Sequence, residues 1–321
     1  METGMTRRGF LAASAATGVG LLATARGAEP AFKTTLHKAV IVTKVTEDVL
    51  KRVKDAGLDG VEAHAVSPED AKKAREMAEK LGLRIHSVFL GGVAGLRAGQ
   101  GFGADAVLLP PGGVGGKIDI PEPWEFDIEF DEKTGHLTRV VAGDNERFKP
   151  YMAAHDRSLD SAREGIKRMI PIAEETKVVI ALENVWNNWC VRPELYRWLV
   201  ASFQSPWVKA YFDIGNHVKY AAAMRDGRLQ IVYPPEVWIR AFGPLLAKIH
   251  VKDYKLNADL RGGNWAGIGQ GTVDWPAVRK AFEDIGYNGW LTDETGLAWP
   301  ELNRRLDRII AGQPPVVPGG K

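Results

Sequence analysis

The sequence predicts an α/β fold, a single (β/α)8 TIM barrel with an insertion carrying a β-hairpin after its fourth strand. Three observations carry this. Eight short apolar runs of β type alternate with helical segments over about 290 residues, the length and rhythm of a closed parallel barrel. Several of the runs are apolar throughout rather than alternating, as strands covered on both faces must be. The segment after the first run, Val42-Thr43-Lys44-Val45, lacks the glycine-rich phosphate turn usual in an open doubly wound sheet.

In order, Lys38 to Val42 reads as the first strand, and Thr46 to Ala56 as a helix with Thr46 as N-cap and Gly57 as its stop. Asp59 to His64 is a second strand. Pro68 to Leu81 is a charged helix capped by Ser67 and ended by Gly82. Arg84 to Leu90 is the third strand. The glycine-rich stretch from Gly91 to Gly103 argues against a regular helix, and Asp105 to Leu109 is the fourth strand.

Pro110 to Gly116 is turn material, and the alternation of Phe126, Ile128 and Phe130 with Leu137 and Val140 around Lys133-Thr134-Gly135 predicts a hairpin. This insertion, about 110–150, is too long for a plain barrel loop, so the hairpin, with Trp124, is expected to fold over the active-site face as a lid.

Ser158 to Glu175 is helical, Val178 to Asn184 is strand five, Pro193 to Phe203 a helix and Val208 to Asp213 strand six. Helical segments are expected within His217 to Arg228 and Pro235 to Ala247, followed by strand seven around His250. Asp274 caps a helix from Trp275 to Ile285, Gly289 to Glu294 is strand eight, and Pro300 to Ile310 closes the barrel.

Composition narrows the function classes. The chain is 45% apolar and 26% charged, ordinary for a globular domain. Residues 1–28 hold Arg7, Arg8 and Arg26 against Glu2, which accounts for the formal charge of +2 and leaves residues 29–321 neutral. A neutral body without a basic stripe argues against nucleic-acid binding. Cys190 is the only cysteine, so no internal disulfide exists. Thr6-Arg7-Arg8-Gly9-Phe10-Leu11, an uncharged stretch to Ala25, and Ala23-Thr24-Ala25 and Ala28 as cleavage residues are together similar to a twin-arginine export signal. The expected organisation is a signal at 1–28 and a barrel at 29–321. That implies use of the twin-arginine (Tat) export machinery, a periplasmic or otherwise exported protein, and no stable membrane insertion after the signal is removed. Homo-oligomerisation is compatible with the sequence.

The candidate chemistry lies at the strand ends. Glu183, Asp213, His250 and Glu294 fall one each on strands five to eight, and barrels assemble their sites at the C-terminal ends of strands. A single strand-end carboxylate is more often a helix cap or half of an ion pair. Four polar residues at successive strand ends favour a shared divalent ion: three hard oxygens and an imidazole suit Mn²⁺ first, with Mg²⁺, Co²⁺ and Zn²⁺ as other occupants.

The motifs Gly57-Leu58-Asp59-Gly60-Val61-Glu62, Ala181-Leu182-Glu183-Asn184, Phe212-Asp213-Ile214-Gly215-Asn216, Ile249-His250-Val251-Lys252-Asp253, Gly269 to Trp275 and Gly289 to Glu294 resemble the sugar isomerase/epimerase superfamily of xylose isomerase-like barrels. The resemblance implies that Glu183, Asp213, His250 and Glu294 hold the metal and that Glu183 and Glu294 are also the catalytic pair. A metal so held would polarise a ketone and its neighbouring hydroxyl. One glutamate removes the adjacent proton, and the other returns one from the opposite face. The enediolate formed leads to epimerisation or isomerisation of an unphosphorylated keto-sugar, or to a lyase or dehydratase reaction on a 3-keto-glycoside or inosose when a leaving group sits β to the ketone. An endonuclease of the same superfamily would need more histidines and a basic face. A non-catalytic sugar-binding barrel would not need two opposed glutamates.

Substrate contacts are expected from Lys252, which points to the same side as His250 and could alternatively form an ion pair with a nearby carboxylate. Asn216 and its neighbour His217 stand where some epimerases carry a substrate-binding histidine. Trp186 and Trp189 flank Asn187-Asn188 in the loop after strand five, a composition suited to sugar stacking. At the position where those epimerases are acidic, this chain has Trp189. His86 and His64 are further substrate candidates, each with a core role as the alternative. Asp253 is expected to be structural, and Glu62 either supports the site or pairs with a lysine.

Overall fold

The computed structural model describes residues 32–316, so the export-signal expectation lies outside the described residues. Eight parallel strands close into a barrel in the order β1-β14-β11-β8-β7-β4-β3-β2. They are β1 (Leu36–Val42), β2 (Gly60–His64), β3 (Arg84–Phe89), β4 (Ala106–Leu109), β7 (Val179–Glu183), β8 (Val208–Asp213), β11 (Leu246–Val251) and β14 (Gly289–Asp293). The remaining strands form three antiparallel hairpins: β5 (Phe126–Phe130) with β6 (Leu137–Val141), β9 (Ala222–Arg225) with β10 (Arg228–Ile231), and β12 (Asp253–Leu256) with β13 (Gly263–Ala266).

The helices are α1 (Glu47–Asp55), α2 (Pro68–Lys80), α3 (Val93–Phe102), α4 (Lys149–Thr176), α5 (Pro193–Ala201), α6 (Ile214–Val218), α7 (Pro235–Phe242), α8 (Trp275–Asp284) and α9 (Trp299–Ile310). The expected caps are in place: Thr46, Ser67 and Asp274 each accept a backbone N–H from the first turn of α1, α2 and α8. Among the described residues no helix is long and apolar enough to cross a membrane.

Three expectations change. The glycine-rich stretch after β3 is helical as α3, because its glycines are used for close approach rather than freedom. A Cβ on Gly95 would stand 2.7 Å from Val107 Cγ2, and one on Gly101 2.6 Å from the Pro68 carbonyl oxygen. Packing therefore overrides propensity. Gly101→Ala is expected to destabilise by about 1–3 kcal/mol, since the backbone carbonyl cannot move aside cheaply and the clash exceeds the ~1 kcal/mol gained from helix propensity. A urea denaturation midpoint at or above that of the wild type would refute this account.

The second change concerns 217–228, where the expected helix is only the single turn α6 followed by the β9-β10 hairpin. Asp226 and Gly227, both with positive φ (50° and 72°), form its two-residue turn, the backbone that an Asp-Gly hairpin turn requires.

The third concerns the insertion hairpin β5-β6, which packs on the outer helices instead of closing over the mouth. Leu137 N donates to Asp156 Oδ1 of α4 at 3.0 Å, and Trp198 Nε1 of α5 donates to the Glu132 carbonyl at 2.7 Å.

Candidate metal centre

Four neighbouring strands of the ring, β7, β8, β11 and β14, bring Glu183, Asp213, His250 and Glu294 together. One potential ligand atom from each lies within 4.8 Å of the others. His250 Nδ1 is the hub, 2.8 Å from Glu183 Oε1 and 3.1 Å from Glu294 Oε2. Glu183, Asp213 and His250 are buried, while the Glu294 side chain keeps 26% of its exposure and faces the mouth.

The end of β8 is clamped before any ligand binds. Asn184, next to Glu183, donates its amide to the Asp213 carbonyl (2.8 Å) and accepts the Asp213 N–H (2.7 Å), so one side chain copies a strand pairing. Asp213 Oδ1 then accepts the Asn216 N–H at the start of α6. Its Oδ2 is buried and without a well-directed hydrogen bond, as is Glu294 Oε2. The Lys252 ammonium is within ion-pair range of both, at 3.2 and 2.8 Å.

Glu62, in the middle of β2, completes the centre from behind. Its Oε2 receives His250 Nε2 at 2.7 Å and Tyr211 OH at 3.2 Å, and its Oε1 receives Ser87 Oγ at 2.7 Å. A carboxylate holding one imidazole nitrogen fixes the ring and aims the other nitrogen at the ligands, the usual support of a metal-binding histidine. A buried glutamate in an apolar strand demands a partner, and that is the signal in the sequence. The partner's identity is not legible there.

The electrostatics follow from burying four carboxylates beside two cations. Burial pushes Asp213 up to about 7 against the pull of Lys252. Burial also raises Glu183, with His250 opposing. For Glu294 burial is outweighed by His250 and Lys252, which hold it down to about 2. Burial disfavours the His250 imidazolium, yet Glu62, Glu183 and Glu294 overcome it and lift His250 well above the usual histidine range. Lys252 is likewise raised, burial being outweighed by Asp213 and Glu294. Hard oxygens lacking hydrogen bonds, converging on one orientable imidazole nitrogen, fit a divalent cation.

Other expected site residues divide sharply. Trp186 stands at the mouth, its ring stacked on Trp265 at 4.4 Å and its Nε1 donating to the Asn216 carbonyl. His64 ends β2 beside Phe89, with ring centres 5.0 Å apart, and Phe89 lies 6.2 Å from His250.

His86, expected to touch substrate, is instead fully buried inside the barrel near the strand starts. It stacks on Trp290 at 4.3 Å and sits 3.1 Å from Thr292 Oγ1 and 3.3 Å from Lys248 Nζ. His217 is also interior, 3.8 Å from the Trp238 ring centre and with burial holding its pKa well down. Asn216 is buried, with its amide donating to the Asn184 carbonyl. All three side chains are turned inward: β3 directs His86 into the barrel interior, and the single turn of α6 directs Asn216 and His217 into the packing, where His217 Nε2 has no hydrogen-bond partner. Trp189 is core as well, 2% exposed. Asp253 is structural as expected: its carboxylate accepts from Tyr254 N, Gly269 N, Val273 N and Trp275 Nε1, tying the loop before α8 to β12.

The family model described as xylose isomerase-like TIM barrel matches residues 50–307. The chain belongs to that family of barrels. Solved structures share the fold. A xylose isomerase domain protein from Planctomyces limnophilus is 16% identical with a TM-score of 0.58, over 87% of this chain and 97% of that one. A D-tagatose 3-epimerase-like protein is 15% identical with a TM-score of 0.59, over 85% and 96%. The 3-keto-D-glucoside 4-epimerase YcjR from E. coli is 13% identical with a TM-score of 0.53, over 81% and 92%. No curated protein matches the sequence.

Proposed function

We propose that the protein is a metal-dependent epimerase or isomerase acting on an unphosphorylated keto-sugar by removing a proton next to its carbonyl. The observation that supports this best is the pair Glu183 and Glu294, two carboxyls meeting at one imidazole nitrogen beside Asp213. Related barrels named as tagatose-type, ribulose and 3-keto-glucoside epimerases point the same way.

Glu183, Asp213, His250 and Glu294 would hold the ion, with Mn²⁺ the first choice, and a bound divalent cation supplies Lewis-acid polarisation of a ketone and adjacent hydroxyl. The protein's own groups do the rest. Glu294 is ionised and open to the mouth, so it accepts the proton. Glu183 returns one on the other side of the carbon. The Lys252 ammonium, beside Glu294, donates to a substrate oxygen as charge develops there. The twin-arginine pattern at residues 6–11 supports an exported setting, where phosphorylated sugars are scarce.

The test is NMR of keto-sugars in D₂O with Mn²⁺-loaded protein, after metal analysis of the protein as purified. Deuterium entering at the carbon next to the carbonyl is the expected result. No exchange with any keto-hexose or keto-glycoside would reject the chemistry, and an unsaturated product without epimer would reassign the enzyme to the lyases.

A further inference from the structure

The wall of the mouth beside the metal centre is built by a hairpin that the four-ligand pattern does not require. β12 and β13 follow directly after Lys252, and β13 carries Trp265, which is 50% exposed. Its ring lies nearly parallel to Trp186 (12° between planes), and Tyr254 packs edge-on against both at 5.2 and 5.5 Å. Each indole also has an ammonium over it, Lys219 Nζ 4.7 Å from the Trp186 ring centre and Lys252 Nζ 5.2 Å from the Trp265 ring centre. Trp265 is the more exposed member of the stack.

An indole half exposed on a monomer surface forfeits a large apolar burial, and here nothing in the metal chemistry needs it. Lys252 connects the two features. The same ammonium is 2.8 Å from Glu294, 3.2 Å from Asp213 and 5.2 Å from the Trp265 ring centre. A sugar whose reacting carbon sits at Glu294 is therefore within one further ring's reach of Trp265. A monosaccharide placed on the carboxylates leaves that indole uncovered, whereas a second ring joined to it covers the indole's apolar face while Lys252 meets the oxygens between.

We infer that the substrate is a keto-glycoside rather than a free keto-monosaccharide, with its aglycone or second sugar ring stacked on Trp265, backed by Trp186 and Tyr254. This rests on the keto-sugar reading of the metal centre, so the experiment separates the two. Mn²⁺-loaded protein is titrated calorimetrically with the unreactive methyl and phenyl D-glucosides, both anomers of each, which tests the platform without chemistry. At least one phenyl anomer is expected to bind tenfold or more tightly than its methyl counterpart. That gap should collapse in Trp265→Ala and be largely restored in Trp265→Phe. Deuterium exchange is then compared for 3-keto-glucose and for the 3-keto form of the preferred phenyl glucoside, with a tenfold higher kcat/KM expected for the glycoside, arising in KM.

Equal binding of phenyl and methyl glucosides by the wild type, or a preference undiminished in Trp265→Ala, overturns the platform whether or not exchange is seen. A phenyl preference that depends on Trp265, in a protein that exchanges no proton, leaves the platform standing and rejects the proton chemistry. If Trp265→Ala does not fold, the wild-type comparison of phenyl with methyl glucosides still decides.

Discussion

Replacing Glu294 by Gln is expected to lower deuterium exchange at the carbon next to the carbonyl by about 10²–10⁴-fold, the range that a positioned general base contributes. Gln keeps the shape and one oxygen for the metal but cannot take a proton at the mouth. The fold should persist. In the metal-free protein the change removes the carboxylate that pairs with both His250 and Lys252. Glu294 is held down to about 2 by His250 and Lys252, so its ionised form stabilises the metal-free fold above the ordinary carboxylate range, and the thermal midpoint should fall modestly at neutral pH. Metal content measured on the same sample separates loss of the base from loss of the ion. Exchange within tenfold of wild type, with metal bound, would take Glu294 out of the proton-transfer pair.

The barrel and its four candidate strand-end ligands can be read from the chain because both are local signals. Continuous apolar runs dictate parallel strands, and a charge at the end of each is visible within one run of residues. What supports those ligands is not local. Glu62 and His250 meet across 188 positions of sequence, and nothing near Glu62 distinguishes a histidine partner from a lysine one. Trp265 sits in a glycine-rich stretch with no periodicity, and its stacking on Trp186 exists only once β12 and β13 pair. His86 and His217 read as site residues in the sequence, yet both point inward, His86 to Thr292 and Lys248 and His217 against Trp238. The helical reading of 217–228 gives way to Asp226-Gly227, a turn signal present in the sequence and stronger than the propensity of its flanks. The glycines of α3 suggest flexibility in the sequence, whereas in the fold they mark contact with β4 and α2.

Glu62→Gln is expected to weaken Mn²⁺ binding by about 10–100-fold, the usual cost of losing the carboxylate behind a metal-binding histidine. The glutamine amide is isosteric, so the core stays filled, but its single oxygen can serve only one of the two sides that the carboxylate serves, either Ser87, or Tyr211 and His250. It would no longer oblige His250 to keep its proton on Nε2. The metal-free protein holds His250 well above the ordinary histidine range, because three carboxylates outweigh its burial. Its charged form therefore adds stability that is complete below the unfolded histidine pKa and is lost as pH climbs through the raised value. Loading the ion requires a free lone pair on Nδ1 and must expel that proton, with a further share from Asp213 near neutrality. Wild-type affinity should thus rise with pH through neutrality. Titration of Mn²⁺ in two buffers of different ionisation enthalpy should show net proton release, and release should shrink in Glu62→Gln because His250 loses the negative charge that raises it. Reduced affinity together with reduced release assigns Glu62 to positioning and charging His250. Unchanged values of both would leave it a filler of the barrel interior, and the orientation of Nδ1 would then have to come from Tyr211, whose ring packs 4.4 Å from that of His250.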